Sequence, residues 1–363
     1  WSGMSLTRAW KLVLFTALSV FISCGSDRVS PATRGLIEQA HLRMLTLDAD
    51  AAAGAPGAKG TFRPAIDPAA MKKGGLDAVV AYISPPPLSP APEGGPSAQE
   101  AVFEAFDALE RSVAGRPELA ALALAPGDAY RLEKEGRRAV YLGLVYGDGL
   151  GTDIEALAAC RNRGVRFLKL CGGRDNAVCD TDLDGTDTGD RGLSGFGREV
   201  VAACNRLGLV IDAGGASARA IADTLAASRA PVICSLGAAK ALCDAAGNLS
   251  GETVAAIAAA GGVVLVPFEA GRLVPAGEGR RATIEDIALH IGFLIRAAGP
   301  EAVGIGSRFG NGGGVSGLRD AADIQGLTVE LLRRGVSEHV LESVWGGNVM
   351  RVFERTARLA GSR

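Results

Sequence analysis

Residues 193–217 read L-S-G-F-G-R-E-V-V-A-A-C-N-R-L-G-L-V-I-D-A-G-G-A-S, and residues 218–235 continue A-R-A-I-A-D-T-L-A-A-S-R-A-P-V-I-C-S. Ser194 is placed to cap a helix, because its hydroxyl can accept a first-turn amide that has no partner. Val200, Val201, Cys204 and Leu207 recur at helical spacing, and Gly208 supplies the residue that ends the helix. Residues 209–212 form a short apolar run closing on a charge, the mark of a strand buried on both faces. Ser217 caps a second helix, with Ile221 and Leu225 facing inward, and residues 231–235 are the next strand. Helix, strand, helix, strand with tight connections means parallel strands joined by right-handed crossovers. In such folds chemistry sits at the C-terminal ends of strands. Here those ends are Ala213-Gly214-Gly215 and Leu236-Gly237, apolar or empty where an enzyme would carry functional side chains.

The same alternation extends both ways. Upstream, strands are expected at 45–48, 78–84, 119–124, 140–145 and 165–170, with helices at 34–44, 68–74, 98–113, 128–135 and 153–163. Residues 85–96, rich in proline and glycine, can only be a loop. Downstream, strands at 262–267 and 303–306 follow helices at 252–260 and 284–298. One helix is expected within 317–334 and the last ones within 338–359. About eight strands alternating with helices, with no composition break, predict a (β/α)8 barrel of the TIM type spanning 36–363. A doubly wound open sheet is the alternative, but the first-turn G-x-G-x-x-G that would favour it is missing. The G-N-G-G-G run at 310–314 has no following Lys-Ser/Thr and reads as a mouth loop, not a phosphate loop.

With 48% hydrophobic residues in 363, the chain can bury a large core. Its 38 basic and 40 acidic residues nearly cancel, so nothing in the charge balance points to a nucleic-acid surface. Arg8 and Lys11 precede the apolar run 12–22 and then Ser23-Cys24-Gly25, with Met4 reading as the start. That pattern fits an export signal over 1–24, too short to span a membrane comfortably. The small residue before Cys24 resembles a bacterial lipoprotein cleavage site, so Cys24 is the expected lipid anchor, 25–35 the linker, and the location periplasmic or membrane-anchored. Export would permit disulfides among Cys160, Cys171, Cys179, Cys204, Cys234 and Cys243. Buried thiols are the plainer reading, and Cys171 with Cys179 is the first pair to test. There is no C-x-x-C to suggest a zinc ribbon or redox motif.

Several stretches together resemble the membrane (renal) dipeptidase family of zinc peptidases, which are amidohydrolase-type barrels. They are L-S-G-F-G-R-E-V-V (193–201) with N-R-L-G-L-V-I-D (205–212), G-G-L-D-A-V (74–79), G-V-R-F-L-K-L (164–170), N-L-S (248–250), G-G-V-V-L-V-P-F (261–268), V-G-I-G-S (303–307) and W-G-G-N-V-M-R-V-F (345–353). The matches run in order over roughly 36–355. The resemblance implies two zinc ions at the barrel mouth, dipeptide hydrolysis and a tendency to dimerise.

It also implies where the ligands should stand, and this sequence departs from that pattern. The D-x-H-x-D motif of the first strand reads Asp48-Ala49-Asp50-Ala51-Ala52, so Asp50 replaces the histidine and Ala52 the second aspartate. The bridging glutamate falls on Val145. The two later ligand histidines fall on Gly215 and Leu236, and the histidine that contacts substrate falls on Cys171. The expected arginine falls on Gly247, and the aspartate after G-I-G-S on Arg308. The chain has three histidines, His41, His290 and His339, each within a predicted helix and remote from a strand end. Zinc needs imidazole, thiolate or carboxylate groups converging at about 2 Å. The expectation is therefore a barrel without zinc or any other cofactor.

Period-two alternation places Lys169 on one face with Cys171. Lys169 and Arg308 are expected to supply positive charge that neutralises Asp48, Asp50 and Asp212, since unpaired carboxylates are costly to bury. The run Asp180-Thr181-Asp182-Leu183-Asp184-Gly185 has the spacing of a calcium loop but lacks the acidic twelfth position. Three functions follow. One is an inactive barrel binding an unknown small ligand or protein. The others are an active hydrolase with a rebuilt metal site, and metal-independent chemistry at Lys169, Cys171 or Arg308.

Overall fold

The computed structural model describes residues 35, 38–56, 62–84, 98–145, 152–183, 191–310 and 314–361. Cys24, the expected linker apart from residue 35, the loop at 85–96 and Asp184 lie outside them. Eleven strands are present among the described residues: β1 (Leu47–Ala52), β2 (Gly54–Pro56), β3 (Phe62–Pro64), β4 (Ala78–Ile83), β5 (Ala120–Leu122), β6 (Arg138–Val145), β7 (Val165–Lys169), β8 (Val210–Asp212), β9 (Ile233–Cys234), β10 (Val263–Val266) and β11 (Val303–Ile305). Eight of them run β1-β4-β6-β7-β8-β9-β10-β11 in one sheet, every pairing parallel. Ala52 N–H donates to Phe309 O at 3.0 Å and Arg308 N–H to Asp50 O at 2.7 Å, joining the last strand's exit to the first strand and closing the barrel.

The predicted strand at 119–124 exists, but off this path. β6 pairs with β4 along residues 139–144 while β5 covers its start at 138–140, and β7 takes over that edge from Leu142. A long strand can thus serve two neighbours in turn. The β2–β3 hairpin was not anticipated; its three-residue strands are too short to show a period. The helix expected within 317–334 is confined to Gln325–Arg333, because Gly317 (φ 87°) and the cap at Asp320 break the run before it.

The organising stretch folds as its residues dictate. Ser194 Oγ accepts the Gly197 amide at the start of Gly195–Leu207, and Gly208 ends that helix in the left-handed region at φ 69°. Ser217 caps Ala218–Ala227 through the Ala220 amide.

Two apolar clusters fill the molecule. The larger lies between strands and surrounding helices, and the smaller fills the barrel lumen. The C-terminal helix Asn348–Gly361 closes the N-terminal end of the lumen. Its Asn348 side chain donates to Pro300 O and Val303 O, and Phe353 stacks on Tyr141 and Phe167 at 5.4 and 5.1 Å between ring centroids. With that end plugged, the mouth at the strands' C-terminal ends is where the described residues leave room for side-chain chemistry.

Candidate active site at the barrel mouth

Lys169 is the last residue of β7, and its side chain turns into the lumen. Its Nζ lies 2.9 Å from Asp50 Oδ1 and 3.5 Å from Asp212 Oδ2. All three side chains are sealed from solvent, at 3% exposure or less. The Tyr82 ring centroid is 4.6 Å from the ammonium. Gly143 on the neighbouring strand makes room for that ring, since a Cβ there would meet it at 2.7 Å. Burial first, and then the charges of Asp212 and Asp50, hold the Tyr82 hydroxyl protonated, well above its ordinary range. Asp212 is fixed at its other oxygen, which accepts the Gly214 and Ser235 amides at 2.8 and 2.9 Å.

β1 is irregular between Asp48 and Ala51, so its two acids reach different partners. Asp48 accepts the Ser307 amide at 2.8 Å, the Ser307 hydroxyl, and the Asp50 amide at 3.2 Å. Burial raises the Asp48 carboxyl to about 6; the Ser307 hydrogen bonds oppose that rise and the Asp50 charge adds to it. The ammonium of Lys169 therefore neutralises Asp50 and Asp212, as expected, while Asp48 is served by Ser307.

Arg308 does not join them. Its guanidinium lies 3.9 Å from Glu269 Oε1, and Glu269 holds Arg272 more closely at 2.7 Å through its other oxygen. The expectation that Arg308 neutralises the mouth acids is corrected: the carboxylate its guanidinium meets is Glu269, and its backbone stands at φ 63°. Among the described residues, Leu236 (φ 61°) and Arg308 are the two non-glycine residues in the left-handed region. Such a backbone costs roughly 1–2 kcal/mol per residue, and strain of this kind concentrates at functional positions.

Cys171 lies two residues beyond the end of β7 and is fully buried among apolar residues. It is a free thiol, so the Cys171–Cys179 bridge is not formed; Cys160, Cys204, Cys234 and Cys243 are also free and buried.

The glycines at the mouth are covered. Gly215 (φ 86°) and Gly247 (φ 74°) face the same side chain: a Cβ at either would meet Leu183 Cδ1 at 2.8 Å or Leu183 Cδ2 at 2.6 Å. Leu183 is held there because its amide donates to Thr181 Oγ1, whose hydroxyl donates to Gly215 O. Asp180 spends its Oδ2 on the Arg191 and Gly192 amides, which ties the acidic loop's two ends together, while Asp182 is exposed. Val145 is buried in the lumen cluster beside Lys169 in register, and Ala52 is half-buried.

None of the histidines reaches the mouth. His41 is buried against Thr328 and Trp345, and burial lowers it to about 4. His290 accepts the Ala239 amide within the helix layer, and His339 is exposed. Among the described residues, no three His, Cys, Asp or Glu side chains are grouped to hold a metal ion. Sequence reasoning missed Tyr82, Ser307, Glu269 and Leu183. Ser307 could have been found, since a hydroxyl follows the V-G-I-G strand directly; the others carry no local signal.

A closed parallel barrel with its ionisable cluster at the strands' C-terminal ends is the (β/α)8 arrangement in which chemistry is placed at the mouth. The profile of the membrane dipeptidase family (peptidase family M19) matches residues 40–362, and the chain belongs to that family of metallopeptidases. Dipeptidase 3 of Rattus norvegicus is 33% identical over 266 residues, covering 71% of this chain and 52% of the relative. Dipeptidase tcpJ of Claviceps purpurea is 27% identical over 265 residues, covering 72% and 61%. The chain thus spans about half the length of the curated relatives it matches. In fold it is similar to the probable dipeptidase PvdM of Pseudomonas aeruginosa, with TM-score 0.79 at 23% identity over 91% of this chain and all of that one. A metallopeptidase of Rhodobacter sphaeroides, solved with a phosphinate mimic of L-Ala-D-Ala, gives TM-score 0.73 at 21% identity, covering 86% and 99%.

Proposed function

We propose that this chain is an exported membrane-dipeptidase barrel that does not bind zinc or hydrolyse dipeptides, and that it persists as a binding or scaffold protein. The observation that carries this reading is Lys169 Nζ, seated between Asp50 and Asp212 in the lumen. A buried ammonium is not a metal ligand, and it already carries the positive charge that the two carboxylates require. Val145, Gly215 and Leu236 offer no donor atom at the positions that the resemblance assigns to ligands, and Leu183 fills the space over Gly215. Two carboxylates, an ammonium and an apolar wall do not fit a pair of zinc ions, which need three or more convergent donors each.

Chemistry at Lys169 itself is disfavoured by the same geometry. A lysine nucleophile must shed its proton and reach substrate, whereas this one is sealed and held by two anions. Export with lipidation at Cys24 rests on the n-region, apolar run and Ser-Cys-Gly of the sequence; no helix of the described residues is long and apolar enough to cross a membrane. Elemental analysis for zinc, together with a panel of dipeptides assayed in added zinc, tests the reading. Substoichiometric metal and no turnover are expected, and two zinc ions with turnover would overturn it.

A further inference from the structure

A cavity of about 580 Å3 opens beside the barrel mouth, next to the ion-paired cluster and separate from it. Its wall carries three guanidinium groups, Arg281, Arg308 and Arg319, and the described residues that line it include no Asp or Glu. Phe268 and Phe309 supply apolar surface, their rings edge to face at 5.6 Å. The volume is that of a small-molecule site, where a few polar groups among apolar ones fix a ligand's orientation.

The charges on this wall are unevenly satisfied. Arg319 is exposed and paired with Asp323 at 3.0 Å. Arg308 is three-quarters buried, its nearest carboxylate oxygen is 3.9 Å away on a Glu269 already bound to Arg272, and its Nε is buried with no hydrogen-bond acceptor. The quarter of the Arg308 side chain that stays exposed borders the cavity, where a guanidinium without a close carboxylate can pair with a ligand oxyanion. Arg308 also holds a left-handed backbone, fixed by the hydrogen bond that its N–H donates to Asp50 O at 2.7 Å, so the chain bears strain at this residue. Arg281 is exposed and forms no ion pair that the described residues show.

We propose that this cavity binds a small organic acid: an oxyanion head held by Arg308 and Arg281, with a ring-sized apolar body on Phe268 and Phe309. Lys169, Asp50 and Asp212 are not among the residues that line the cavity, so binding there is read through Arg308 and Arg281 and not through metal content.

The test uses the full chain and calorimetric titration with phenylacetate and phenyl phosphate, with uncharged 2-phenylacetamide as the matched control. At least one anion should bind saturably, and the tighter of the two identifies the head group; the amide should bind at least tenfold more weakly. Arg308→Gly removes the guanidinium while suiting the backbone, so it should keep the wild-type melting temperature and weaken the anion on the order of ten- to a hundredfold. Arg281→Ala, at an exposed position, should weaken it severalfold. The proposal is overturned if neither anion binds, if the amide binds as well as the anions, or if folded Arg308→Gly binds like the wild type.

Discussion

Replacing Lys169 by Met removes the ammonium and leaves a side chain of similar length to fill its path. What remains is two carboxylates, Asp50 and Asp212, that are 3% and 0% exposed and face one another across the vacated position. Asp212 keeps the Gly214 and Ser235 amides on one oxygen, but its Oδ2 loses the cation that stood 3.5 Å away, and Asp50 Oδ1 loses a partner at 2.9 Å. Breaking a buried ion pair from one side typically costs about 3–5 kcal/mol. At roughly 2 cal/mol/K of unfolding entropy per residue, a chain of 363 residues loses about 4–7 °C of melting temperature for that energy. Scanning calorimetry of Lys169→Met at pH 7 should show such a fall. The triple variant Asp50→Asn, Lys169→Met, Asp212→Asn removes all three charges together and should recover most of it, because a neutral set carries no unpaired ion. A Lys169→Met protein melting within a degree of the wild type would refute the electrostatic reasoning, as would a triple variant no more stable than the single one.

Asp48 gives a pH signature. Its carboxyl, at 3.8 when unperturbed, is raised to about 6 in the folded chain by burial, so between those values the folded state holds a proton that the unfolded state has released. The stability it contributes is full below about pH 4 and is lost as pH rises through 6, on the order of 3 kcal/mol at most. His41, lowered to about 4, acts with the opposite sign over the same window, so the readout is the difference between wild type and Asp48→Asn. Relative to the variant, the wild type should lose stability from pH 4 to 6.5 in urea titrations; parallel curves would contradict the assignment. Restoring a histidine at Gly215 should cost about 2–4 kcal/mol, from left-handed strain at φ 86° and from collision with Leu183, whose Cδ1 stands 2.8 Å from the new Cβ. Adding Leu183→Ala should return about 1–2 kcal/mol of that, and strict additivity of the two changes in calorimetry would show that Leu183 does not fill the site.

The barrel was legible because its signals are local and repeated. Ser194, Gly208 and Ser217 cap and stop helices where hydroxyls and a left-handed residue are required. The mouth was legible only in part. That Lys169 meets Asp50 and Asp212 follows from strand order, since Lys169 and Asp212 end adjacent strands and Asp50 lies near the end of β1 facing the same lumen. Arg308 was misjudged because the carboxylate it meets is Glu269 and its backbone stands at φ 63°, and nothing in R-F-G announces a positive φ at a non-glycine residue. Leu183 was invisible for a different reason: it sits in an acidic loop, and its role depends on two glycines 32 and 64 residues downstream that leave space for its methyl groups.

The most direct test is the metal content of the purified full chain, measured by mass spectrometry after dialysis against excess zinc and then against metal-free buffer. If Lys169 occupies the place of the cations, zinc should stay well below one ion per chain, with Asp50→Asn and Asp212→Asn leaving that value unchanged. Two tightly held zinc ions per chain, lost in those variants, would contradict the account.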